Sequence, residues 1–142
     1  MNNNVTPPQI IIMAAGAVML VGSFLDFFSG TNAWGSGALP IVTLAAWIGV
    51  AMAVVIALQA FANVNLPERV LTFTWTQLHL VLSIYAALLM IGWLLLKVPG
   101  SVDRGAGFWL MFLGAAGLVV GAVMLRNESP AAAGPSSPPT SF

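Results

Sequence analysis

The sequence predicts an all-α fold, an integral membrane four-helix up-down bundle, and three of its features support this prediction. Only 6% of the 142 residues are charged and 59% are hydrophobic, whereas a soluble domain carries about 25% charged residues. Four apolar runs are each about as long as the ~20 residues with which a helix crosses a bilayer. The alternating segments of about ten residues that are typical of membrane β-barrels do not occur in the sequence.

The four apolar runs define the predicted domain organisation. They cover residues 10–28, 41–61, 73–96 and 106–125, and together they predict one four-helix domain over residues 10–126. The connections are short, so consecutive helices are expected to run antiparallel. Residues 1–9 are predicted to be a short disordered lead without Lys or Arg, and the first run is therefore expected to be retained as a span. The Pro-, Ala- and Ser-rich residues 127–142 are predicted to be a disordered tail.

The cationic side chains give little information on membrane orientation. Arg69 and Arg126 lie on the side of the two termini, whereas Lys97 and Arg104 lie on the opposite side. The positive-inside rule therefore hardly distinguishes the two orientations. The α-amino group and the disordered tail favour a cytoplasmic location of both termini, which predicts a multi-pass plasma-membrane protein in that orientation.

The composition argues against several classes of function. The net charge is zero and no basic cluster occurs, so nucleic-acid binding is not expected. The chain has no cysteine, which excludes disulfides, thiol redox chemistry and cysteine-ligated metals within it. Motifs for catalysis, phosphate binding or metal coordination are also missing from the sequence. We therefore predict no enzymatic activity, no cofactor and no metal site. The expected partners are the lipid bilayer and other membrane proteins or further copies of the chain.

The third run carries a polar stripe and the only histidine of the chain. Steps of three and four residues place Thr76, His79 and Ser83 on one helical face, which is expected to turn inward. Gln59 lies near the end of the second run on the same membrane side, so we predict a Gln59–His79 hydrogen bond between helices, worth about 0.6–2 kcal/mol. A proton-relay or ligand role for His79 is the sharper alternative, and a histidine facing the membrane interface is the third.

Asp26 is the only acidic residue within an apolar run, and it lies two residues from the end of that run. The predicted topology places it on the same side as Lys97 and Arg104. A surface ion pair with either cation is expected, and such pairs contribute little stability. The alternative is a cation or proton site at the mouth of the bundle.

Small residues recur along three of the runs with the spacing that lets helix backbones approach closely. The fourth run has Gly114, Gly117 and Gly121, the last two in a small-xxx-small pattern. The second run has Gly49 one turn before Ala53, and Gly22 lies in the first run. These glycines are expected to face helices of the same chain, with a second subunit as the alternative.

One stretch resembles a known group of proteins. Residues 22–28, GSFLDFF, are followed by NAWGSG at residues 32–37 and then by Pro40. This arrangement resembles small four-span membrane proteins of actinobacteria, which pair a Gly-Ser-Phe-Leu-x-aromatic-aromatic exit from the first helix with a Trp-Gly loop. The resemblance implies a bacterial plasma membrane and carries over no activity and no functional residue.

Two functions are compatible with these features. The first is an accessory or scaffolding role in a membrane assembly, because a small bundle with short loops offers no obvious site of its own. The alternative is a small oligomeric transporter or channel that uses the polar stripe of the third helix. An intramembrane enzyme ranks below both, because His79 has no second catalytic group in the sequence.

Overall fold

The computed structural model describes residues 5–35, 40–62, 67, 69–70, 72–96 and 103–128. Within these residues the chain is mostly helical, with four helices and two short antiparallel hairpins. The helices are α1 (Pro7–Phe24), α2 (Pro40–Phe61), α3 (Trp75–Leu95) and α4 (Ala106–Glu128). Strands β1 (Asp26–Phe28) and β2 (Thr31–Asn32) follow α1, whereas β3 (Arg69–Val70) and β4 (Phe73–Thr74) precede α3. All four helices are long and apolar enough to cross a membrane.

Helix α1 is displaced toward the N-terminus relative to the predicted run 10–28. It begins at Pro7, within the predicted disordered lead, because proline suits a first helical turn, where its missing N–H needs no partner. It ends at Phe24, since Leu25 has an extended backbone and β1 follows directly. Asp26 therefore lies in a hairpin and not in a span. Residues 1–4 and most of the predicted tail lie outside the described residues, although α4 continues to Glu128.

Helix α3 begins two residues later than its predicted run because Thr74 forms its N-cap. The Thr74 side chain accepts a hydrogen bond from the Gln77 backbone N–H at 3.3 Å. In return, the Thr74 backbone N–H donates to Gln77 Oε1 at 3.1 Å. This reciprocal capping box satisfies N–H groups at the helix start, and it leaves Phe73 in the β3–β4 hairpin, where Arg69 pairs with Thr74.

Helix α1 packs against both α4 and α2, and α3 packs mainly against α4. The glycines of α4 face α1: a Cβ added at Gly107 would lie 2.5 Å from the Gly22 carbonyl oxygen, and one at Gly121 would lie 2.6 Å from Ile12 Cγ1. The end of α1 therefore meets the start of α4, and the two helices run antiparallel. Between these points Gly114 lies against Met19.

The remaining predicted packing glycines also lie against helices of the same chain. A Cβ at Gly117 would lie 3.1 Å from Ala15 Cβ, and one at Gly49 would lie 2.8 Å from Met19 Sδ. Gly16, which the sequence pattern did not single out, contacts the Gly49 backbone so closely that an added Cβ would lie 2.5 Å from its carbonyl oxygen. Close backbone approach therefore organises both interfaces of α1.

The interior of the bundle is rich in methionine. Four methionines from the four helices are almost completely buried, namely Met19, Met52, Met90 and Met111. The unbranched, polarizable methionine side chain fills irregular gaps between helices. At one end of the bundle, the buried rings of Phe27 and Phe108 continue this core.

Candidate functional site

The polar stripe of α3 faces the interior of the bundle, as the residue spacing predicts. The buried residues of α3 are His79, Ser83, Ala86 and Met90, and Thr76 is half-buried. The opposite face, including Val81 and Leu88, is exposed. The helical period therefore determined correctly which side of α3 turns inward.

His79 is bound by its own helix and not by Gln59. The ring nitrogen Nδ1 lies 2.7 Å from the Trp75 carbonyl oxygen, one turn earlier in α3. Because a carbonyl oxygen only accepts, Nδ1 is the protonated nitrogen and donates this bond. The other nitrogen, Nε2, is buried and has no hydrogen-bond partner among the residues that the structure describes, and His79 is only 3% exposed. In the neutral ring Nε2 is an acceptor, so His79 presents an unpaired lone pair to the core.

The predicted Gln59–His79 hydrogen bond is wrong. Gln59 is half-buried in α2, and neither ring nitrogen of His79 bonds to it. The Trp75 carbonyl lies one turn before His79 in the same helix. Its hydrogen bond to Nδ1 therefore forms whatever the distance between α2 and α3. Helix α3 also makes fewer contacts with α2 than with α4.

Ser83 does not extend the site into a hydrogen-bonded chain. Its hydroxyl donates to the Leu80 carbonyl oxygen at 2.8 Å, within the same helix. A relay would need successive donors and acceptors that pass from one side chain to the next. His79 and Ser83 instead bond to carbonyl oxygens of their own helix, which favours a structural role for these two side chains.

Asp26 is exposed in β1, opposite Asn32, and it forms no ion pair with Arg104. The predicted pairing with Arg104 is wrong, whereas Lys97 lies outside the described residues. Arg104 turns away from the carboxylate: its Nη2 donates to the Leu94 carbonyl oxygen at 2.6 Å, and its guanidinium lies 5.5 Å from the centroid of the Phe108 ring. A cation at the carbonyl end of α3 is electrostatically favourable.

The β1–β2 hairpin closes the bundle at the end where α1 stops. Phe27 packs edge-on against Trp93 and Phe108, with ring centroids 6.2 and 5.3 Å apart. The Gly105 backbone N–H donates to the Phe27 carbonyl oxygen at 3.0 Å, which ties the hairpin to the start of α4. Gly105 lies so close to the Asp26 carbonyl that a side chain there would collide with it. An open mouth beside Asp26 is therefore not formed by these residues.

An exposed aromatic cluster, formed by Phe24, Trp34 and Trp47, lies beside this closed end. The rings of Phe24 and Trp34 stack at 5.7 Å, and Trp34 contacts Trp47 edge-on at 5.9 Å. The indole N–H of Trp34 donates to Ser23 Oγ at 3.0 Å, and Ser23 in turn donates to the Leu20 carbonyl oxygen. Sequence reasoning missed this cluster and the role of Arg104, because neither follows a helical period.

The described residues do not bring three or more His, Asp or Glu side chains together as a metal-ligating group. Comparisons with protein-family models, with curated proteins and with solved structures found no match to this chain.

Proposed function

We propose that this chain inserts into a bacterial plasma membrane as an up-down-up-down bundle with cytoplasmic termini and acts as an accessory or scaffolding partner of other membrane proteins, without catalytic activity. One observation carries the proposal: His79 and Ser83 of the polar stripe are buried within a single chain, whereas large apolar side chains are exposed on all four helices. The outer surface is then the part of the membrane domain that a partner can contact.

The enclosed core argues against a path for a solute. Ser83, Ala86 and Met90 are completely buried, as are Met111 and Leu118 of the neighbouring α4. A translocation path requires polar groups that water or a solute can reach. In this bundle the space beside the polar stripe is instead filled by side chains of α4 from the same chain.

The outward surface has the composition of a face for lipid or for another transmembrane helix. Large apolar side chains are exposed on every helix, for example Val21, Trp47, Leu88 and Leu113. The aromatic cluster is a distinctive patch on this surface, with Phe24 61% and Trp47 59% exposed. Tryptophan is enriched at the energetic centres of protein interfaces, so we place the contact with a partner there.

Site-specific photo-crosslinking tests the accessory role. A photoreactive phenylalanine analogue replaces Trp47 in one variant and Leu113 in another, since both side chains are outward and similarly exposed. In native membranes we expect the Trp47 position to give an adduct with a different membrane protein and the Leu113 position to give mainly lipid adducts. If both positions yield only lipid adducts or only dimers of this chain, the accessory role is refuted.

The orientation has its own experiment, because the chain has no natural cysteine. Thr31→Cys places a thiol in the β1–β2 hairpin, and Asn127→Cys places one near the end of α4; both residues are exposed. With cytoplasmic termini, a membrane-impermeant maleimide added to intact cells labels the first variant and not the second. The reverse pattern would show the opposite orientation, and labelling of both would contradict the up-down arrangement.

A small oligomeric transporter or channel is the second candidate, and the unpaired Nε2 of His79 is the observation that favours it. A buried acceptor without a partner is unusual in a stable core and would suit a site that takes up a proton. Under this function, purified protein in liposomes supports a proton flux that His79→Leu abolishes. Under the accessory role, no flux occurs and His79→Leu retains the Trp47 crosslink.

A further inference from the structure

A cleft between α3 and the end of α4 combines a polar, cationic rim with an apolar floor. It has a volume of about 460 Å³, and its lining residues are Thr72, Phe73, Gln77, Leu80, Val81 and Arg126. This volume falls within the range of small-ligand sites in proteins, about 300–1,000 Å³. The cleft lies at the end of the bundle where α3 begins and α4 ends, opposite the closed aromatic end.

The polar rim of the cleft presents hydrogen-bond donors and a positive charge. Arg126 lies in the last turn of α4 and is exposed, and among the described residues no carboxylate forms an ion pair with it. The Gln77 amide is oriented by the capping box, because its Oε1 accepts from the Thr74 N–H. The NH₂ group of Gln77 is therefore the part left for a ligand, and it can only donate. These groups are complementary to an anion.

The apolar floor distinguishes the expected ligand from a free anion. Leu80 and Val81 lie about one turn farther along α3 than Gln77, and Val81 is 53% exposed. Along α3 the lining changes from polar at Gln77 to apolar at Leu80 and Val81, which is the direction from headgroup to acyl chain in a bilayer. We propose that this cleft binds one anionic phospholipid, with its phosphate at Arg126 and Gln77 and an acyl chain against Leu80 and Val81.

This proposal rests on the membrane insertion proposed above, and it is independent of the accessory role. The guanidinium supplies several donors that suit a phosphate oxygen geometrically. Charge-assisted hydrogen bonds of this type contribute about tenfold or more to affinity when they are protected from bulk water. A zwitterionic lipid has the same phosphate, but its choline cation would be brought close to Arg126. The two positive charges would repel each other, so a zwitterionic lipid should bind more weakly.

Native mass spectrometry of the detergent-purified protein tests the site. The protein is titrated with dioleoyl phosphatidylglycerol, with dioleoyl phosphatidylcholine and with inorganic phosphate. We expect one phosphatidylglycerol to bind about tenfold more tightly than phosphatidylcholine, and inorganic phosphate to bind more weakly than either lipid. Equal binding of the two lipids, or binding of inorganic phosphate as tight as that of phosphatidylglycerol, would overturn the proposal.

Three variants separate a defined site from general attraction. Arg126→Gln removes the cation, and Gln77→Glu replaces the NH₂ donor by an anion while keeping an oxygen that accepts from the Thr74 N–H. Both should lower the preference for phosphatidylglycerol about tenfold. Arg69→Gln is the matched control, because Arg69 is exposed at the same end but does not line the cleft. The proposal fails if Arg69→Gln lowers the preference as much as Arg126→Gln, or if neither cleft variant changes it.

Extraction of membranes with alkaline carbonate tests insertion separately, so a failure of insertion and a failure of lipid binding are distinguishable.

Discussion

A single methyl group at Gly107 should disturb the packing of α4 against α1. A Cβ at this position would lie 2.5 Å from the Gly22 carbonyl oxygen and 2.6 Å from that of Leu25. Both distances are almost 1 Å shorter than ordinary van der Waals contact, and both neighbours are backbone atoms that no rotamer change can move. In Gly107→Ala, the start of α4 must therefore move away from the end of α1.

The expected loss follows from the cost of overpacking. Insertion of a methyl group into a filled interface destabilises a protein by about 1–3 kcal/mol, and we expect the upper part of this range because backbone must move. The matched control is Gly92→Ala in α3, where a Cβ would meet no atom within 4 Å. This variant should be neutral or slightly more stable, because alanine has the higher helix propensity by about 0.5–1 kcal/mol.

The assay is reversible unfolding in mixed micelles with increasing sodium dodecyl sulfate, followed by circular dichroism and tryptophan fluorescence. Gly107→Ala should unfold at a lower detergent fraction than the natural protein, and Gly92→Ala should not. Equal stability of the two alanine variants would refute the close approach of α1 and α4 at Gly107.

Three further predictions concern contacts outside the glycine interface, and each is checked by the same unfolding measurement. Arg104→Gln should destabilise the protein by about 1–3 kcal/mol, because it weakens the bond to the Leu94 carbonyl and removes the cation over Phe108; a loss no larger than that of Arg126→Gln would contradict this. Thr74→Ala should cost about 1 kcal/mol through loss of the α3 N-cap, and Thr74→Ser should restore most of it. Trp34→Phe should cost about 0.5–1.5 kcal/mol by removing the indole bond to Ser23. Combined with Ser23→Ala, the Trp34→Phe loss should be less than additive, and full additivity would argue against the bond.

Sequence reasoning was most successful where a regular period carries the information. The steps of three and four residues in α3 identified its inward face, on which His79 and Ser83 are buried. The small-residue spacing in α4 likewise identified the glycines that face α1. A helix repeats every 3.6 residues whatever surrounds it, so the shared face of such residues can be obtained without knowledge of the neighbouring helices.

The same reasoning failed where two partners compete or where the chain leaves a helix. Hydropathy extends the first run to Phe28, because Phe27 and Phe28 are apolar. These two residues do not continue the helix; they fold back across the end of the bundle, where their rings contact Trp93. Gln59 was a reasonable partner for His79 by depth alone. The choice between Gln59 and the Trp75 carbonyl depends on a distance between helices that the sequence does not contain.

The sequence by itself determined four apolar helices, the inward face of α3 and the stripes of small residues. These properties follow from length, hydropathy and period, which are local. Only the tertiary structure decided that Asp26 lies in a hairpin, that Arg104 binds the end of α3 and that Nε2 of His79 has no hydrogen-bond partner in the described part of the chain. Each of these depends on which groups of different helices and strands come within hydrogen-bond distance, and only the folded chain sets those distances.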